Sequence, residues 1–176
     1  MGPQLNESSL ILVIGGARSG KSLYAENLAN SSDHELIYLA TAEPRDIEMK
    51  KRIHAHQNRR GRRWKTIEEP IHLAAALRSN CKLNTFVLVD CLTLWLSNIM
   101  ANTSNIASEM KELIVTLQRL KGQVALVSNE VGLGIVPDNE LARQFRDQAG
   151  LLNQSIASIA DEVFLLAAGL PIKIKP

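Results

Sequence analysis

The sequence predicts an α/β protein built on a mostly parallel β-sheet covered by helices on both faces. Three observations carry that prediction. Strand-like runs alternate with helical patterns along the whole 176-residue chain, as parallel sheets with crossover helices require. The strand runs at 11–14, 86–89 and 124–127 are continuously apolar, the pattern of strands buried on both faces. The first run leads straight into Gly15-Gly-Ala-Arg-Ser-Gly-Lys-Ser22 and a helix, the strand, loop, helix context of a P-loop. The class is therefore an α/β P-loop NTPase, RecA-like, with one nucleotide-binding catalytic domain expected over 9–176 and a disordered polar leader over 1–8.

Each residue of the loop has a chemical reason. Gly15 and Gly20 let the backbone approach a ligand closely, and Gly16, Ala17, Arg18 and Ser19 lie between them. Successive N–H groups and the following helix N-terminus then point at phosphate oxygens. Lys21 adds a mobile cation for the β and γ phosphates, and Ser22 a hydroxyl for Mg²⁺.

The remaining elements follow in order. The helix after the loop covers 23–30, Ser31-Ser-Asp-His34 is a turn, and 35–39 is a second short strand. It runs into Ala40-Thr41-Ala42-Glu43-Pro44, where proline stops the strand and small residues admit a ligand. A helix is expected over 46–57, with Asp46 near its start and Ile47, Lys50 and Ile53 on one side. The basic run Arg59-Arg60-Gly61-Arg62-Arg63-Trp64-Lys65 comes next, and Thr66-Ile-Glu68-Glu69-Pro70 leads into a helix. Pro70 suits that helix's first turn, and Ile71, Leu73, Ala74 and Leu77 supply its apolar faces. Residues 86–90 form a third strand closed by Asp90, and 92–100 are helical.

From 106 to 120 the apolar residues Ile106, Met110, Leu113, Leu117 and Leu120 step by four, three, four and three, an amphipathic helix. A fourth strand at 124–127, a loop at 128–137 and a long helix at 139–160 follow, the helix striped by Leu141, Phe145, Ala149, Leu152, Ile156 and Ile159. Residues 163–167 are the fifth strand, and Gly169-Leu-Pro171 turns into a last edge strand at 172–175.

Composition narrows the partners. A net charge of +2, with 45% hydrophobic and 22% charged residues, is that of an ordinary globular chain and demands neither nucleic acid nor a membrane surface. Two Trp, two Tyr and three Phe leave little for base stacking. Cys81 and Cys91 form no Cys-x-x-Cys pair, so neither a zinc site nor a disulfide framework is indicated. The N-terminus has no signal-peptide pattern, and no run approaches the roughly 18 apolar residues of a membrane span. A cytoplasmic enzyme is expected.

In an open parallel sheet the ligand sits beyond the carboxyl ends of the strands, which singles out residues 15–22, 41–43, Asp90 and 129–137. Asp90 is placed to hold Mg²⁺, directly or through water, or to cap the helix that follows. His54 and His56 are two residues apart, so on a helix only one can face a nucleotide. His56 adjoins the basic run. A neutral imidazole is an able phosphorus nucleophile, and a solvated histidine at a helix end fits the same spacing. The arginine run reads as a solvated face or a triphosphate clamp more readily than as a nucleic-acid patch. Glu68 and Glu69 suit a helix start, or a carboxylate there accepts hydrogen bonds from guanine N1 and N2.

Several ordered stretches together resemble one family. They are residues 15–22, Tyr38-Leu-Ala-Thr-Ala42, Glu48-Met49 with Arg52-Ile53 and His56, Trp64 with Glu68, and Val127-Ser-Asn-Glu-Val-Gly-Leu-Gly-Ile-Val-Pro137. Leu141-Ala-Arg-Gln-Phe-Arg-Asp147, Ala149-Gly150 and Asn153-Gln154 extend the match. The chain resembles, over about residues 10–175, the bifunctional adenosylcobinamide kinase/adenosylcobinamide-phosphate guanylyltransferase of cobalamin biosynthesis.

The resemblance implies phosphorylation of the aminopropanol hydroxyl of adenosylcobinamide by ATP or GTP. Transfer of GMP from GTP to adenosylcobinamide phosphate then passes through a covalent guanylyl-histidine at His56. It also implies that Thr41, Ala42, Glu43, Gln57, Asn58, Arg59, Arg60, Glu68 and Asp90 surround the nucleotide with residues 15–22, that Ser22 and Asp90 hold Mg²⁺, and that the protein is a homotrimer. Without the resemblance two other classes remain: a P-loop small-molecule kinase with no covalent step, and a GTP-dependent switch. The absence of an Asn-Lys-x-Asp string counts against the switch.

Overall fold

The computed structural model describes residues 8–43, 47, 60–102 and 105–175. Its centre is a seven-stranded sheet in the order β3-β2-β4-β5-β1-β6-β7. The strands are β1 (Ser9–Gly15), β2 (Glu35–Ala40), β3 (Trp64–Glu68), β4 (Thr85–Asp90), β5 (Gln123–Asn129), β6 (Glu162–Ala167) and β7 (Leu170–Lys175). The first six pair parallel to one another, and β7 returns antiparallel to β6. The helices are α1 (Lys21–Asn30), α2 (Leu73–Asn80), α3 (Leu92–Asn102), α4 (Ile106–Leu117) and α5 (Glu140–Ile159).

Side-chain alternation along the strands feeds two cores. Leu10, Leu12, Ile37, Leu39, Val87 and Val89 face one way, packed under α2, α3, α4 and α5. Ile11, Val13, Leu36, Tyr38, Phe86, Leu88, Ala125 and Val127 face the other, against Ala25 and Ala29 of α1. Both faces of the central strands are therefore dry, which is why their sequences are unbroken apolar runs. Each fully buried Leu or Ile here contributes about 1.5–3 kcal/mol of transfer free energy.

Local chemistry sets the element ends. The long α5 opens with Asn139 Oδ1 accepting from Ala142 N at 2.7 Å, and α4 with Asn105 Oδ1 accepting from Ser108 N at 3.1 Å, both side-chain N-caps.

Four expectations need correction. Residues 64–68 form an edge strand rather than an approach to a helix: β3 bonds only β2, and its exposed Lys65, Thr66 and Glu68 hide the strand pattern. Pro70 lies ahead of α2, not in its first turn. The helix starts at Leu73, and Glu69 Oε1 serves its entry by accepting from Ile71 N and His72 N at 3.0 and 2.7 Å. The helix expected to run to 120 stops at Leu117, where Arg119 N and Leu120 N turn back onto Thr116 O and Leu117 O. The last strand starts at Leu170 and includes Pro171, allowed because an edge strand does not need every N–H. The helix expected over 46–57 lies outside the described residues, Ile47 apart.

Candidate active site

The carboxyl ends of β3, β2, β4, β5 and β1 form one row, in that order. Neighbouring strands are about 4.8 Å apart, so the row from Glu68 to Gly15 spans about 19 Å, the scale of an extended nucleoside triphosphate.

At one end of the row is the P-loop. Gly15 has φ 152°, and a Cβ there would lie 2.4 Å from Leu166 O and 2.8 Å from Ser19 Oγ, so only glycine lets β1 turn this close to β6. Ser19 N donates to Gly16 O at 3.3 Å. Gly20, at φ 97°, begins α1 with no side-chain cap, which leaves the helix's first amides open to an anion. Gly16, Ala17 and Arg18 form the exposed tip, and Arg18 takes φ 56°. Behind the loop, the turn between β6 and β7 braces it: Gly169 N donates to Ser19 O at 3.0 Å.

Lys21 is buried. Its Nζ donates to Gly16 O at 2.5 Å and reaches Ser19 Oγ at 3.5 Å, so the ammonium lies inside the loop it serves. Burial pushes its pKa below the usual 10.5, and the acidic groups of Cys91 and Asp90 pull against that shift.

Asp90 closes β4. Its Oδ2 accepts from the Tyr38 hydroxyl at 3.0 Å. The carbonyl that receives the first turn of α3 is that of Cys91, from Trp95 N at 3.1 Å, so Asp90 stands one residue ahead of the cap position. Tyr38 is buried, and desolvation followed by the Asp90 charge pushes its phenol far up, against a smaller opposing pull from Arg60; the hydroxyl keeps its proton.

Thr41 is fully buried. Its Oγ1 donates to Cys91 O at 2.7 Å and accepts from Cys91 N at 2.8 Å, while Asn98 Nδ2 holds Thr41 O at 2.8 Å. The Thr41 hydroxyl thus clips β2 to the start of α3. Ala42 and Glu43 continue from it, half-buried. Asn129, ending β5, gives its N–H and Nδ2 to Thr93 Oγ1 at 3.2 and 3.1 Å. Thr93 Oγ1 also lies 3.2 Å from Cys91 Sγ. Burial pushes the Cys91 thiol up to about 11, leaving it protonated and unreactive.

The basic run divides its work. Arg63 donates to Asn30 O and Ser32 O at 3.2 and 2.9 Å, capping the C-terminal end of α1, the end away from the P-loop. The Arg60 guanidinium lies 3.3 Å from the Tyr38 ring centroid and 4.0 Å from Glu26 of α1, its side chain and that of Glu26 each only 4% exposed. Glu68 is exposed at the end of β3, opposite Ala40 of β2 and on the same face as Trp64. His56, Gln57, Asn58 and Arg59 lie outside the described residues.

The structure thus brings residues 15–22, Asp90, Thr41–Glu43 and Glu68 to one edge. It adds Glu26, Tyr38, Thr93 and Asn98, none of which the sequence singles out for a role, and anchors Asn129, singled out as the start of the loop after β5, on Thr93. For Tyr38 the only signal is a hydroxyl inside the otherwise apolar β2; Glu26, in the mixed sequence of α1, carries none.

Among the described residues no three His, Cys, Asp or Glu side chains converge as a metal cage. The oxygen donors of Ser22 and Asp90 fit Mg²⁺, which binds through one or two protein oxygens together with substrate phosphates, and Tyr38 occupies Oδ2 of Asp90. Among the described residues, no helix is long and apolar enough to cross a membrane.

Comparison with known proteins agrees with this geometry. Among solved structures, a prototypical ATPase from the type III secretion system of pathogenic bacteria superposes with a TM-score of 0.56 at 15% identity, over 94% of this chain and 56% of that one. The RadB recombinase gives 0.53 at 15% identity, over 89% and 73%. The chain spans just over half of the first and about three-quarters of the second, and the likeness is one of fold: an α/β P-loop NTPase. In sequence, the chain is 47% identical to the bifunctional adenosylcobalamin biosynthesis protein CobP of Pseudomonas aeruginosa, over 93% of this chain and 96% of that protein. It is 40% identical to the bifunctional adenosylcobalamin biosynthesis protein CobU of Escherichia coli, over 94% and 99%. The family model described as cobinamide kinase / cobinamide phosphate guanyltransferase matches residues 11–174. The chain belongs to the cobinamide kinase / cobinamide phosphate guanyltransferase family.

Proposed function

We propose that the protein phosphorylates adenosylcobinamide and then guanylylates the product in adenosylcobalamin biosynthesis, with the P-loop as triphosphate site and His56 as covalent carrier of GMP. The observation that carries this reading is membership of the family over residues 11–174, a span that includes both the glycine loop and His56. The bifunctional relatives in P. aeruginosa and E. coli support it.

The amides of residues 15–22 and the uncapped start of α1 receive the phosphates, and Lys21 exchanges Gly16 O for a β or γ phosphate oxygen. Ser22 and Asp90 hold Mg²⁺, which when bound neutralises charge on the departing group. Glu43, Gln57, Asn58 and Arg59 line the nucleotide with Thr41 and Ala42 behind them, Arg60 supports the site from its place against Tyr38, and Glu68, at the far end of the row, accepts from guanine N1 and N2.

In the kinase step the aminopropanol hydroxyl oxygen attacks the γ-phosphorus, its bond to the β-phosphate oxygen breaks, and the hydroxyl proton is released. In the transferase step the neutral His56 imidazole attacks the α-phosphorus of GTP and pyrophosphate leaves. An oxygen of adenosylcobinamide phosphate then attacks the same phosphorus. The P–N bond breaks, giving adenosylcobinamide-GDP and restoring the imidazole. The exposed apolar side chains of β7, Leu170, Ile172 and Ile174, and of the loop after β5 support assembly as a homotrimer. The two free buried cysteines suit a reducing cytoplasm.

The test supplies adenosylcobinamide, Mg²⁺ and GTP to the wild-type protein and to His56→Ala, with products separated by chromatography. Wild type should form adenosylcobinamide-GDP, and His56→Ala should stop at adenosylcobinamide phosphate. Formation of the GDP product by His56→Ala would refute the covalent carrier.

A further inference from the structure

A largely buried line of charged side chains, linked through the neutral Tyr38, runs beside the P-loop. Glu26 reaches in from α1, the same helix that carries Lys21 at its start. The Arg60 guanidinium lies between Glu26 and the ring of Tyr38. The Tyr38 hydroxyl then meets Asp90 Oδ2, and the Asp90 charge acts on Lys21. Three elements and the residue chain leading to β3 converge here.

The register explains the reach. Ala40 of β2 sits beside Asp90 of β4. Tyr38, two residues earlier on the same face, is long enough to place its hydroxyl at the strand end. The ring cannot swing: it is buried, Trp64 meets it edge-on at a centroid distance of 6.3 Å, and Arg60 covers its face. A carboxylate offers about four acceptor positions on two oxygens. A donor fixed on Oδ2 limits how the carboxylate can turn and leaves the acceptor positions of Oδ1 for a second partner.

We propose that Tyr38 is a positioning residue of this enzyme, its hydroxyl holding Asp90 so that the free carboxylate oxygen presents to the metal–triphosphate complex, with Arg60 and Glu26 locking the tyrosine ring. The inference rests on the reading of Asp90 as a Mg²⁺ carboxylate and adds to it the group that orients that carboxylate. Supporting groups of this kind around a metal ligand characteristically govern metal affinity, and they work when their own rotamers are locked by packing. Arg60, in this arrangement, acts through the tyrosine.

The experiment compares wild type, Tyr38→Phe and Asp90→Asn, each full length. Tyr38→Phe retains the ring, its packing on Trp64 and its cover by Arg60, and its thermal unfolding should match wild type within a few degrees. Mn²⁺, standing in for Mg²⁺, is titrated against protein with GTP, and free Mn²⁺ is read by electron paramagnetic resonance. GTP affinity without metal is measured separately by calorimetry. Tyr38→Phe should weaken metal binding by about tenfold, leave metal-free GTP affinity within about twofold, and lower kcat at limiting Mg²⁺ with partial recovery at high Mg²⁺. If Asp90→Asn weakens Mn²⁺ binding and Tyr38→Phe does not, the positioning role is refuted while the Asp90 reading stands. If Asp90→Asn also leaves Mn²⁺ binding unchanged, the Asp90 reading falls and this role falls with it.

Discussion

Two loops leave neighbouring parallel strands at the same edge of the sheet, tied at their roots by Glu130 N donating to Gly15 O at 3.0 Å. The P-loop after β1 closes on its own chain: its glycine is wedged against Leu166 O, Lys21 is folded inside it, and the β6–β7 turn braces it from behind. The loop after β5 is held only at its ends among the described residues, by Glu130 Oε1 on Gly132 N and by Arg143 on the carbonyls of Pro137 and Asp138. Its apex carries Leu133 and Ile135, 87% and 97% exposed, with Val136 and Leu141 exposed beside them. Contiguous exposed apolar side chains mark a surface that meets another. The difference teaches that the P-loop is braced by its own chain, while the loop after β5 leaves its apolar side chains exposed.

The largest effect expected from this contrast lies in the P-loop. Gly15→Ala forces a Cβ into Leu166 O, whereas Gly16→Ala, with nothing within 4 Å of its Cβ, meets open space. GTP affinity should fall by two orders of magnitude or more, about 3 kcal/mol, in the first variant and by less than about threefold in the second. Equal losses would show that the loop is not wedged as described.

The β5 loop should respond in the opposite way. Leu133→Asp with Ile135→Asp replaces two exposed side chains, so the stability of the single chain should change by under about 1 kcal/mol. Light scattering should nevertheless show the assembly falling toward monomer, with GTP affinity retained within about threefold. An unchanged mass would remove this loop from the interface.

The smallest effect is a pH dependence. The pKa of Lys21 is lowered by burial from 10.5, and a bound triphosphate favours its charged form, so GTP binding takes up a proton on the alkaline side. Affinity should decline as pH rises through the depressed pKa, earlier than for an ordinary lysine, by a few fold. Calorimetry in buffers of different ionisation enthalpy reads the proton uptake directly. No uptake at any pH below 10.5 would contradict the buried position of Lys21.

How much of this is legible in the sequence depends on whether the chemistry is local. The P-loop is legible because spacing within eight residues fixes both backbone and side chain, and the central strands because burial on two faces leaves unbroken apolar runs. β3 is not legible: in Trp-Lys-Thr-Ile-Glu only Ile67 packs on the main core, and an edge strand bonded on one side tolerates charge. The contact of Tyr38 with Asp90 spans 52 residues and exists only through the register of β2 on β4, which no local pattern encodes. The basic run is only partly legible for a related reason. Its charges suggest an anion clamp, yet Arg63 caps the far end of α1 and Arg60 is taken by an aromatic face and a buried carboxylate, partners set by tertiary packing alone. Thr41 is legible as a residue beyond a strand end, but its bonds to Cys91 follow from a junction between β2 and α3 that the sequence does not announce.

If the P-loop site is self-sufficient, the covalent step needs only the chain, GTP and Mg²⁺, with no corrinoid present. The direct measurement incubates the protein with GTP labelled at the α-phosphate or, separately, at the γ-phosphate, then isolates it under denaturing conditions beside His56→Ala. The expected result is an α-label, acid-labile and base-stable, carried by wild type and absent from His56→Ala, with no γ-label. Wild-type protein that binds GTP yet retains no α-label would contradict the guanylyl-histidine and favour a P-loop kinase without a covalent intermediate.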